Sequence, residues 1–314
     1  MAPGALVLHG FTGTPASVAG VAGALSRAGF EVASPLLPGH GVALEEMGAA
    51  GWRDWTAAAE EAYGQLAGRA SPVVVAGLSM GGALACWLAA AHPEVAGLVC
   101  VNPAVEPVAG SFLDILRGLL DAGVTLVPSG MGADVARPGA GEDRPGGAPV
   151  APLLSLFEGV AELAPRLADI TCPLLLFTSV NDHVVPTSAS DLLAARVAGP
   201  VERVRLERSY HVATMDWEAG DIERATVRFA AEVVGASLWV VAGCLFEVSL
   251  PGAGWRSVDP PPAVTLLAGG ARSHLHHFRF RAEEAGVVVL SFARADLQVD
   301  QVVRIAPEPG GTPA

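Results

Sequence analysis

The chain has 314 residues, 51% of them hydrophobic, and a formal net charge of −13. This length and hydrophobic content suit one large domain with a buried core and a small second domain. The negative charge argues against nucleic acid and anionic membrane surfaces as partners, because both are bound through basic patches. All 19 basic residues are arginine, so chemistry that requires a lysine, such as Schiff-base catalysis, is excluded.

The N-terminus and the cysteines bear on location and metal binding. Residues 1–8 lack the basic segment and long apolar stretch of a signal peptide, and no run reaches the length of about 18 apolar residues that a membrane span needs, so we expect no stable membrane insertion. The cysteines form no C-x-x-C pair and no zinc-finger spacing: Cys86, Cys100, Cys172 and Cys244. We therefore expect free thiols, a cytoplasmic location and no metal.

Residues 1–235 alternate short apolar runs with helical patterns, which is typical of βαβ units around a parallel sheet. The predicted strands are residues 5–8, 31–33, 73–76, 97–101, 173–178 and 201–206. The predicted helices are residues 17–28, 52–67, 82–91 and 221–234. We therefore expect an α/β fold with a doubly wound, mostly parallel sheet.

Residues 103–166 interrupt this alternation. Turn-forming stretches at residues 137–141 and 145–147 lie between helical patterns at residues 111–120 and 152–163. Clusters of Gly and Pro without periodicity indicate loops. We expect a small cap insertion over the carboxyl edge of the sheet.

After Gly235 the pattern changes to short strand-like runs without a helical pattern among them, at residues 238–241, 245–250, 278–281, 287–292 and 298–305. Short strands separated by Gly and Pro at such spacing are typical of a small β-sandwich. The chain is therefore expected to comprise an α/β domain of residues 1–235, an all-β domain of residues 237–307 and a disordered tail of residues 308–314.

A predicted nucleophile lies between the strand at residues 73–76 and the apolar helix after it. The sequence Gly77-Leu78-Ser79-Met80-Gly81 fits the G-x-S-x-G elbow, in which glycines on both sides of the serine let strand and helix pack around a strained turn. The pattern alone is common in a Gly-rich chain. The buried strand before it and the helix after it favour a catalytic Ser79 over a serine that only caps a helix.

A serine needs a base to become nucleophilic, and in such folds the acid and the base follow on later loops in the order Ser, Asp, His. His211 follows the predicted strand 201–206, and Asp182 follows the strand that ends at residue 178. Asp216 is the main rival acid, but it lies only five residues beyond His211. The other histidines compete less well as base. His9 and His40 precede Ser79, and His92 ends the helix after it. His183 adjoins Asp182, and the C-terminal domain contains His274, His276 and His277.

Acyl transfer also needs hydrogen-bond donors for the developing oxyanion. One expected donor is the backbone N–H of Met80, directly after the nucleophile. The second is the backbone N–H of Phe11 in the loop after the first strand, where Gly10 permits close approach of the backbone. The alternative is that Gly10 only ends a strand.

With these residues in place, the chain resembles the bacterial carboxylesterases related to monoacylglycerol lipases. The resemblance covers residues 5–235 and implies an α/β-hydrolase fold, hydrolysis of short- to medium-chain acyl esters or monoacylglycerols without a cofactor, and the site assignment given above. It rests on five motifs in the family's order: Leu8-His9-Gly10-Phe11-Thr12-Gly13, Leu37-Pro38-Gly39-His40-Gly41, Gly77-Leu78-Ser79-Met80-Gly81-Gly82, Asp182-His183-Val184-Val185-Pro186 and Ser209-Tyr210-His211-Val212-Ala213-Thr214.

Two features depart from that family. Its members usually have more residues ahead of the first strand, so we expect either that the sheet lacks an edge element or that the chain starts upstream of Met1. The Gly/Pro-rich stretch at residues 137–149 lies in the cap, the part of the fold on which we expect the shape of the pocket to depend.

The C-terminal segment weakly resembles chagasin-like cysteine-peptidase inhibitors, which implies an immunoglobulin-like fold. The resemblance rests on Gly269-Gly270 and on the run His277-Phe278-Arg279-Phe280-Arg281-Ala282 followed by Gly286. The family's binding loops are replaced by residues 250–255 and 294–296, so inhibition does not carry over. We expect this domain to bind an unidentified protein or to pack on the catalytic domain.

The resulting hypothesis is a serine carboxylesterase that acts on a small-molecule acyl ester. One alternative is a thioesterase, lipase or acyltransferase with the same three residues. Another is a non-catalytic module that recruits a partner through its β domain, although the presence of Ser79, Asp182 and His211 together argues against it. A third is a peptidase inhibitor carried beside an esterase.

Overall fold

The computed structural model describes residues 2–128, 134–141, 147–234, 238–241, 244–251, 255–272, 275–284, 286–294 and 297–306. The chain divides into two compact units, one of residues 1–26 and 30–226 and one of residues 27–29 and 227–314. The predicted tail at 308–314, the predicted domain boundary at 235–237 and residues 142–146 of the Gly/Pro-rich stretch lie outside the described residues.

The first unit alternates strands and helices. Its strands are β1 (Gly4–Leu8), β2 (Glu31–Ala33), β3 (Val73–Leu78), β4 (Gly97–Val101), β5 (Leu126–Val127), β6 (Ala148–Pro149), β7 (Leu174–Ser179) and β8 (Val201–Leu206). Its helices are α1 (Ala19–Arg27), α2 (Trp52–Ala67), α3 (Met80–Ala91), α4 (Gly110–Asp121), α5 (Val150–Leu163), α6 (Thr187–Arg196) and the start of α7 (Ala219–Val234).

Six strands form one sheet in the order β2-β1-β3-β4-β7-β8, and every described pair of neighbours in it is parallel. Strands β1, β3, β4 and β7 are buried along their whole length. Because both faces of such strands are covered, their sequences are continuous apolar runs rather than alternating ones. The predicted doubly wound parallel sheet is confirmed.

Helix α2 places the loop at residues 37–41 beside the sheet. The backbone N–H of Gly51 donates to the Asp54 carboxylate at 2.9 Å, which caps the helix start. Trp52 and Trp55 lie among the buried residues of one helix face. The indole N–H of Trp55 also donates to the carbonyl oxygen of Pro38 at 2.9 Å, so burial of α2 holds this loop in place.

The segment between β4 and β7 contains α4, α5 and the short antiparallel pair β5–β6. Phe112 of α4 contacts Phe157 of α5 edge to face, with ring centroids 5.6 Å apart. Arg117 donates to Glu158 across the same two helices at 2.8 Å. These contacts make α4 and α5 a helical pair inserted into the α/β alternation.

Three of the cysteines lie in the interior of the first unit. Cys86, Cys100 and Cys172 are buried and free, whereas the free Cys244 is exposed. Burial raises the pKa of the Cys172 thiol to about 11. Such a thiol stays protonated at neutral pH and is chemically inert.

The second unit contains two small sheets. Its strands are β9 (Leu238–Val241), β10 (Leu245–Pro251), β11 (Arg256–Val258), β12 (Val264–Arg272), β13 (Leu275–Ala282), β14 (Gly286–Arg294) and β15 (Leu297–Ala306). The orders are β10-β13-β12 and β11-β14-β15-β9, with antiparallel pairs except for parallel β15 and β9. Phe280 of one sheet and Phe292 of the other share a single apolar core, so the two sheets pack face to face as expected for a sandwich.

Among the described residues, no helix is both long and apolar enough to cross a membrane.

Candidate active site

Ser79 lies at a sharp turn between β3 and α3, with φ of 55° and ψ of −116°. A non-glycine residue with such a backbone is strained by about 1–3 kcal/mol. The turn is held by the backbone N–H of Ser79, which donates to Val101 at 3.0 Å, and by its carbonyl, which accepts from Ala83 and Ala104. The strain is thus sustained by β4 and by α3.

The turn requires glycine on both sides of Ser79, because the neighbouring backbone leaves no room for a side chain at either position. A Cβ on Gly77 would lie 2.1 Å from the carbonyl oxygen of Gly81. A Cβ on Gly81 would lie 2.2 Å from the carbonyl oxygen of Leu8 in β1. The G-x-S-x-G pattern therefore reflects direct contact of α3 with β1 and β3.

Asp182 and His211 form a buried pair. His211 Nδ1 lies 2.8 Å from Asp182 Oδ2, and the two side chains are only 4% and 2% exposed. The other carboxylate oxygen of Asp182 accepts the backbone N–H groups of Val184 and Val185, both at 2.8 Å. These bonds fix the carboxylate, which in turn orients the imidazole ring.

The loop that carries His211 is attached to the sheet by Asn102, directly after β4. Asn102 Nδ2 donates to the carbonyl oxygen of His211 at 2.8 Å and to Ser179 Oγ at 2.9 Å. Asn102 Oδ1 accepts the backbone N–H of Ser179 at 2.8 Å, and Ser179 Oγ donates to the carbonyl of Tyr210. Sequence reasoning missed Asn102, although its place at the carboxyl end of a buried strand was a usable signal.

Asp216, the rival acid considered from the sequence, is fully buried and contacts backbone groups. Its two oxygens accept the N–H groups of Ala136, Arg137, Tyr210 and Trp217 at 2.7–3.0 Å. The carboxylate beside the His211 ring is that of Asp182. Asp216 therefore braces the backbone of the His211 loop.

Glu218 binds the start of the same loop, directly after β8. Its carboxylate accepts the backbone N–H groups of Glu207, Arg208 and Ser209 at 2.9–3.1 Å. Burial raises the pKa of Glu218, but the hydrogen bonds from Ser209, Arg208 and Glu207 together outweigh it, and the net pKa is lowered. Glu218 is therefore ionised at neutral pH.

The two candidate oxyanion donors follow neighbouring strands. Leu8 of β1 pairs with Gly77 of β3, and Phe11 and Met80 each come three residues later, at the carboxyl edge of the sheet. The loop after β1 lies against the elbow, because a Cβ on Gly10 would be 3.5 Å from Ser79 Cβ. As the first residue of α3, Met80 has an N–H without an acceptor inside the helix.

The loop that carries Phe11 is supported by buried rings. The Phe11 ring contacts Trp55 and His40, with centroids 5.9 and 6.3 Å away. His9 Nε2 accepts the backbone N–H of Leu37 at 3.1 Å, and His9 Nδ1 lies 2.9 Å from the Gly10 carbonyl oxygen. His9 and His40 thus link this loop to residues 37–41.

A cavity of about 450 Å³ lies between the helical pair and the Asp182 loop. Most of its lining is apolar, with Leu116, Leu153 and Phe157 from α4 and α5. Asp134 and His183 supply polar atoms to its wall. Within the described residues, no group of three or more His, Cys, Asp or Glu side chains is arranged to hold a metal ion.

Comparisons with known proteins assign this architecture. The profile of the alpha/beta hydrolase fold family matches residues 6–127. The chain is 38% identical over 234 residues to the thermostable monoacylglycerol lipase of Bacillus sp. strain H-257, covering 74% of this chain and 92% of that protein. It is 25% identical over 228 residues to a carboxylesterase of Bacillus subtilis, covering 71% of this chain and 90% of that protein.

Solved structures of lipolytic enzymes have the same fold as the first unit. A structure of the metagenome-derived lipolytic enzymes LipS and LipT superposes with a TM-score of 0.69 at 36% identity, over 73% of this chain and 93% of that one. The monoacylglycerol lipase of Paleococcus ferrophilus shares the fold, with a TM-score of 0.61 at 17% identity over 74% and 96% of the two chains.

The fold and the elbow define an α/β-hydrolase. The chain belongs to the α/β-hydrolase family, in the group that includes the Bacillus monoacylglycerol lipase. The predicted membership is thereby confirmed for the N-terminal part. The predicted likeness of the C-terminal strands to chagasin-like inhibitors is not confirmed by these comparisons.

Proposed function

We propose that this chain is a serine carboxylesterase that hydrolyses acyl esters through Ser79, His211 and Asp182. That it is a carboxylic ester hydrolase is supported by its relatives, which are named lipases and esterases. The observation that carries the finer proposal is the buried 2.8 Å pair of His211 Nδ1 and Asp182 Oδ2, together with a strained Ser79 at the elbow.

The proposed first step is attack of Ser79 Oγ on the ester carbonyl carbon. His211 Nδ1 is engaged by Asp182, which leaves Nε2 as the nitrogen that takes the Ser79 proton. The negative Asp182 stabilises the imidazolium that results and keeps the proton on Nδ1. His211 then gives the Nε2 proton to the leaving alcohol, and the acyl group stays on Ser79.

In the second step a water molecule attacks the acyl-enzyme. His211 Nε2 takes a proton from this water and returns it to Ser79 Oγ as the carboxylic acid leaves. In both steps the carbonyl oxygen carries developing negative charge. We assign the backbone N–H groups of Phe11 and Met80 as its donors, because both residues lie at the carboxyl edge of the sheet near Ser79. Loss of one such donor typically costs about 10²–10³ in kcat.

We infer the substrate class from the cavity between the helical pair and the Asp182 loop. Its walls are mostly apolar, and its volume of about 450 Å³ falls in the usual range for small-molecule sites. An acyl chain of short to medium length gains from burial there, at about 25 cal/mol per Å² of apolar surface. Monoacylglycerols, the substrates named for the Bacillus and Paleococcus lipases, belong to this class.

The test is hydrolysis of p-nitrophenyl esters from acetate to palmitate by the wild-type protein, Ser79→Ala and Ser188→Ala. Ser188 is an exposed serine of α6 and serves as the matched control. We expect Ser79→Ala to lower kcat by roughly 10⁴–10⁶-fold, as for loss of other serine nucleophiles, and Ser188→Ala to keep wild-type kcat. Equal activity of all three proteins would refute the proposal.

A further inference from the structure

A carboxylate of the inserted segment contacts both loops that carry the proposed acid and base. Asp134 Oδ2 accepts the backbone N–H of His211 at 3.1 Å and that of His183 at 3.2 Å. Asp134 Oδ1 lies 2.8 Å from His183 Nδ1. The Asp134 side chain is only 12% exposed, whereas the His183 side chain is 60% exposed. The bond from the His211 N–H to Asp134 is therefore half-buried, and the contacts with His183 face solvent.

The contact is reciprocal. The carbonyl oxygen of Asp134 accepts the N–H of Val212 at 3.0 Å. Ala136 and Arg137, two and three residues after Asp134, donate their N–H groups to Asp216 of the His211 loop at 2.7 and 3.0 Å. The inserted segment and the base loop are therefore joined from both sides.

Asp134 completes the set of contacts around His211. The ring is held by Asp182 and the carbonyl oxygen by Asn102, whereas the backbone N–H is held by Asp134. A carboxylate that accepts N–H groups makes charge-assisted bonds, which are about twice as strong as neutral ones. Its negative charge also favours the positive charge that His211 acquires during the reaction.

We infer that Asp134 is a positioning residue for the proposed reaction: it fixes His211 from the inserted segment and makes that segment part of the catalytic arrangement. The inference rests on the proposed function of Ser79 and His211. Asp134 and His183 also line the apolar cavity. An acyl chain in that cavity would thus lie against the residue that holds the base.

The experiment compares the wild type, Asp134→Asn, Ser79→Ala and the control Asp191→Asn. Asp191 is an exposed carboxylate that pairs with Arg203, so its change is chemically the same but remote. Each protein is treated with a fluorophosphonate, which labels an activated serine. The final labelled fraction measures how much protein is folded, and the rate constant measures activation of Ser79.

We expect Asp134→Asn to reach the wild-type labelled fraction with a rate constant roughly 10–100-fold lower, the cost of a small misplacement of a catalytic group. With p-nitrophenyl acetate, which is too short to depend on the cavity, kcat should fall while KM stays near the wild-type value. Asp191→Asn should match the wild type in both assays. If Asp134→Asn does not fold, Asp134→Ser is measured with the same expectation.

The outcomes separate the two proposals. Ester turnover that persists in Ser79→Ala overturns the proposed function, and the role of Asp134 falls with it. Turnover that depends on Ser79, combined with wild-type labelling and kcat in folded Asp134→Asn, overturns the role of Asp134 alone. A fall in the labelled fraction at an unchanged rate constant also overturns it, because Asp134 would then only stabilise the fold.

Discussion

Asn102 and His211 are 109 residues apart in sequence, yet Asn102 Nδ2 lies 2.8 Å from the main-chain carbonyl oxygen of His211. Asn102 itself has a φ of 46°, a left-handed backbone that asparagine tolerates better than most residues. This one buried side chain joins the end of β4, the end of β7 and the base loop. The proposed base is therefore fixed relative to the sheet and not only to its acid.

Replacement of Asn102 by Ala should reduce both stability and turnover. The change leaves the carbonyl of His211 and the backbone N–H of Ser179 without their buried partner, which should lower the free energy of unfolding by about 2–4 kcal/mol. The kcat for ester hydrolysis should fall because the base loop loses its attachment. Urea unfolding and ester assays at a temperature well below the transition measure the two effects.

The control is Asn181→Ala. Asn181 is an exposed residue whose Nδ2 donates to the carbonyl of Glu207 at 3.1 Å, and its loss should change the free energy of unfolding by no more than about 0.5 kcal/mol. Equal effects of the two replacements would contradict the role assigned to Asn102.

The parts of the molecule that could be predicted from sequence are those with a local physical signature. Strands β1, β3, β4 and β7 were predictable because burial on both faces leaves long apolar runs. The elbow was predictable because only glycine fits at residues 77 and 81. Each of these features leaves a pattern in a few consecutive residues, which can be detected without knowledge of the fold.

Elements with a weak pattern were missed. Helix α6 buries little beyond Ala189, Ser190 and Leu193, so its apolar face is too narrow to detect. Strand β12 is the edge of its sheet, contains Gly269-Gly270 and has an irregular register after Leu266, which removes the alternation expected of a strand.

The backbone contacts of the polar residues around the candidate site could not be predicted, for another reason. Asn102, Asp134 and Asp216 act through backbone groups that lie far away in sequence. No sequence motif predicts which distant backbone N–H or carbonyl group a side chain will bind. Their roles become visible only when the fold brings three loops to one edge of the sheet.

Asp182→Asn should abolish most activity while the protein stays folded. The amide cannot hold His211 in the tautomer that accepts the serine proton, and such a change typically lowers kcat about 10⁴-fold. Steady-state ester hydrolysis measures the fall, and thermal unfolding verifies the fold.

Asp216→Asn, the matching change at the rival acid, should behave differently. Each oxygen of Asp216 accepts backbone N–H groups, so an amide NH₂ must face donors, and each donor left unsatisfied costs about 1–3 kcal/mol. We expect a lower unfolding free energy with a smaller loss of kcat in the folded protein. A 10⁴-scale loss at unchanged stability would instead make Asp216 the acid.

Gly81→Ala should prevent formation of the native elbow. The added methyl would lie 2.2 Å from the Leu8 carbonyl oxygen and 2.6 Å from that of His9, contacts that backbone atoms cannot relieve without moving β1 away from α3. Soluble yield, circular dichroism and ester turnover should all fall.

Gly64→Ala is the matched control for this change, because Gly64 also lies in a helix but has open space around its Cβ position. It should raise the free energy of unfolding by about 0.5–1 kcal/mol through helix propensity. A normal, active Gly81→Ala protein would contradict the close packing of the elbow.

His92 at the end of α3 should make stability depend on pH. Its Nε2 lies 2.7 Å from Glu60 and its Nδ1 lies 3.0 Å from Glu94, and both nitrogens can donate only when the ring is protonated. Burial lowers the pKa of His92, but the hydrogen bonds to Glu60 and Glu94 outweigh it and the net pKa is raised. Tyr63 also faces this cluster and donates to Glu94.

The direction of this pH dependence follows from the difference in the pKa of His92 between the folded and unfolded states. A folded pKa above the unfolded value of about 6.5 means that protonated His92 stabilises the fold fully below that value and loses this effect as pH rises through the raised folded pKa. The Tyr63 hydroxyl, with its pKa raised to about 12 chiefly by burial, stays protonated throughout. The difference in unfolding free energy between the wild type and His92→Gln should therefore be largest near pH 6 and shrink towards pH 9 in urea titrations. A difference that is constant, or that grows with pH, would show that His92 is not charged in the folded protein.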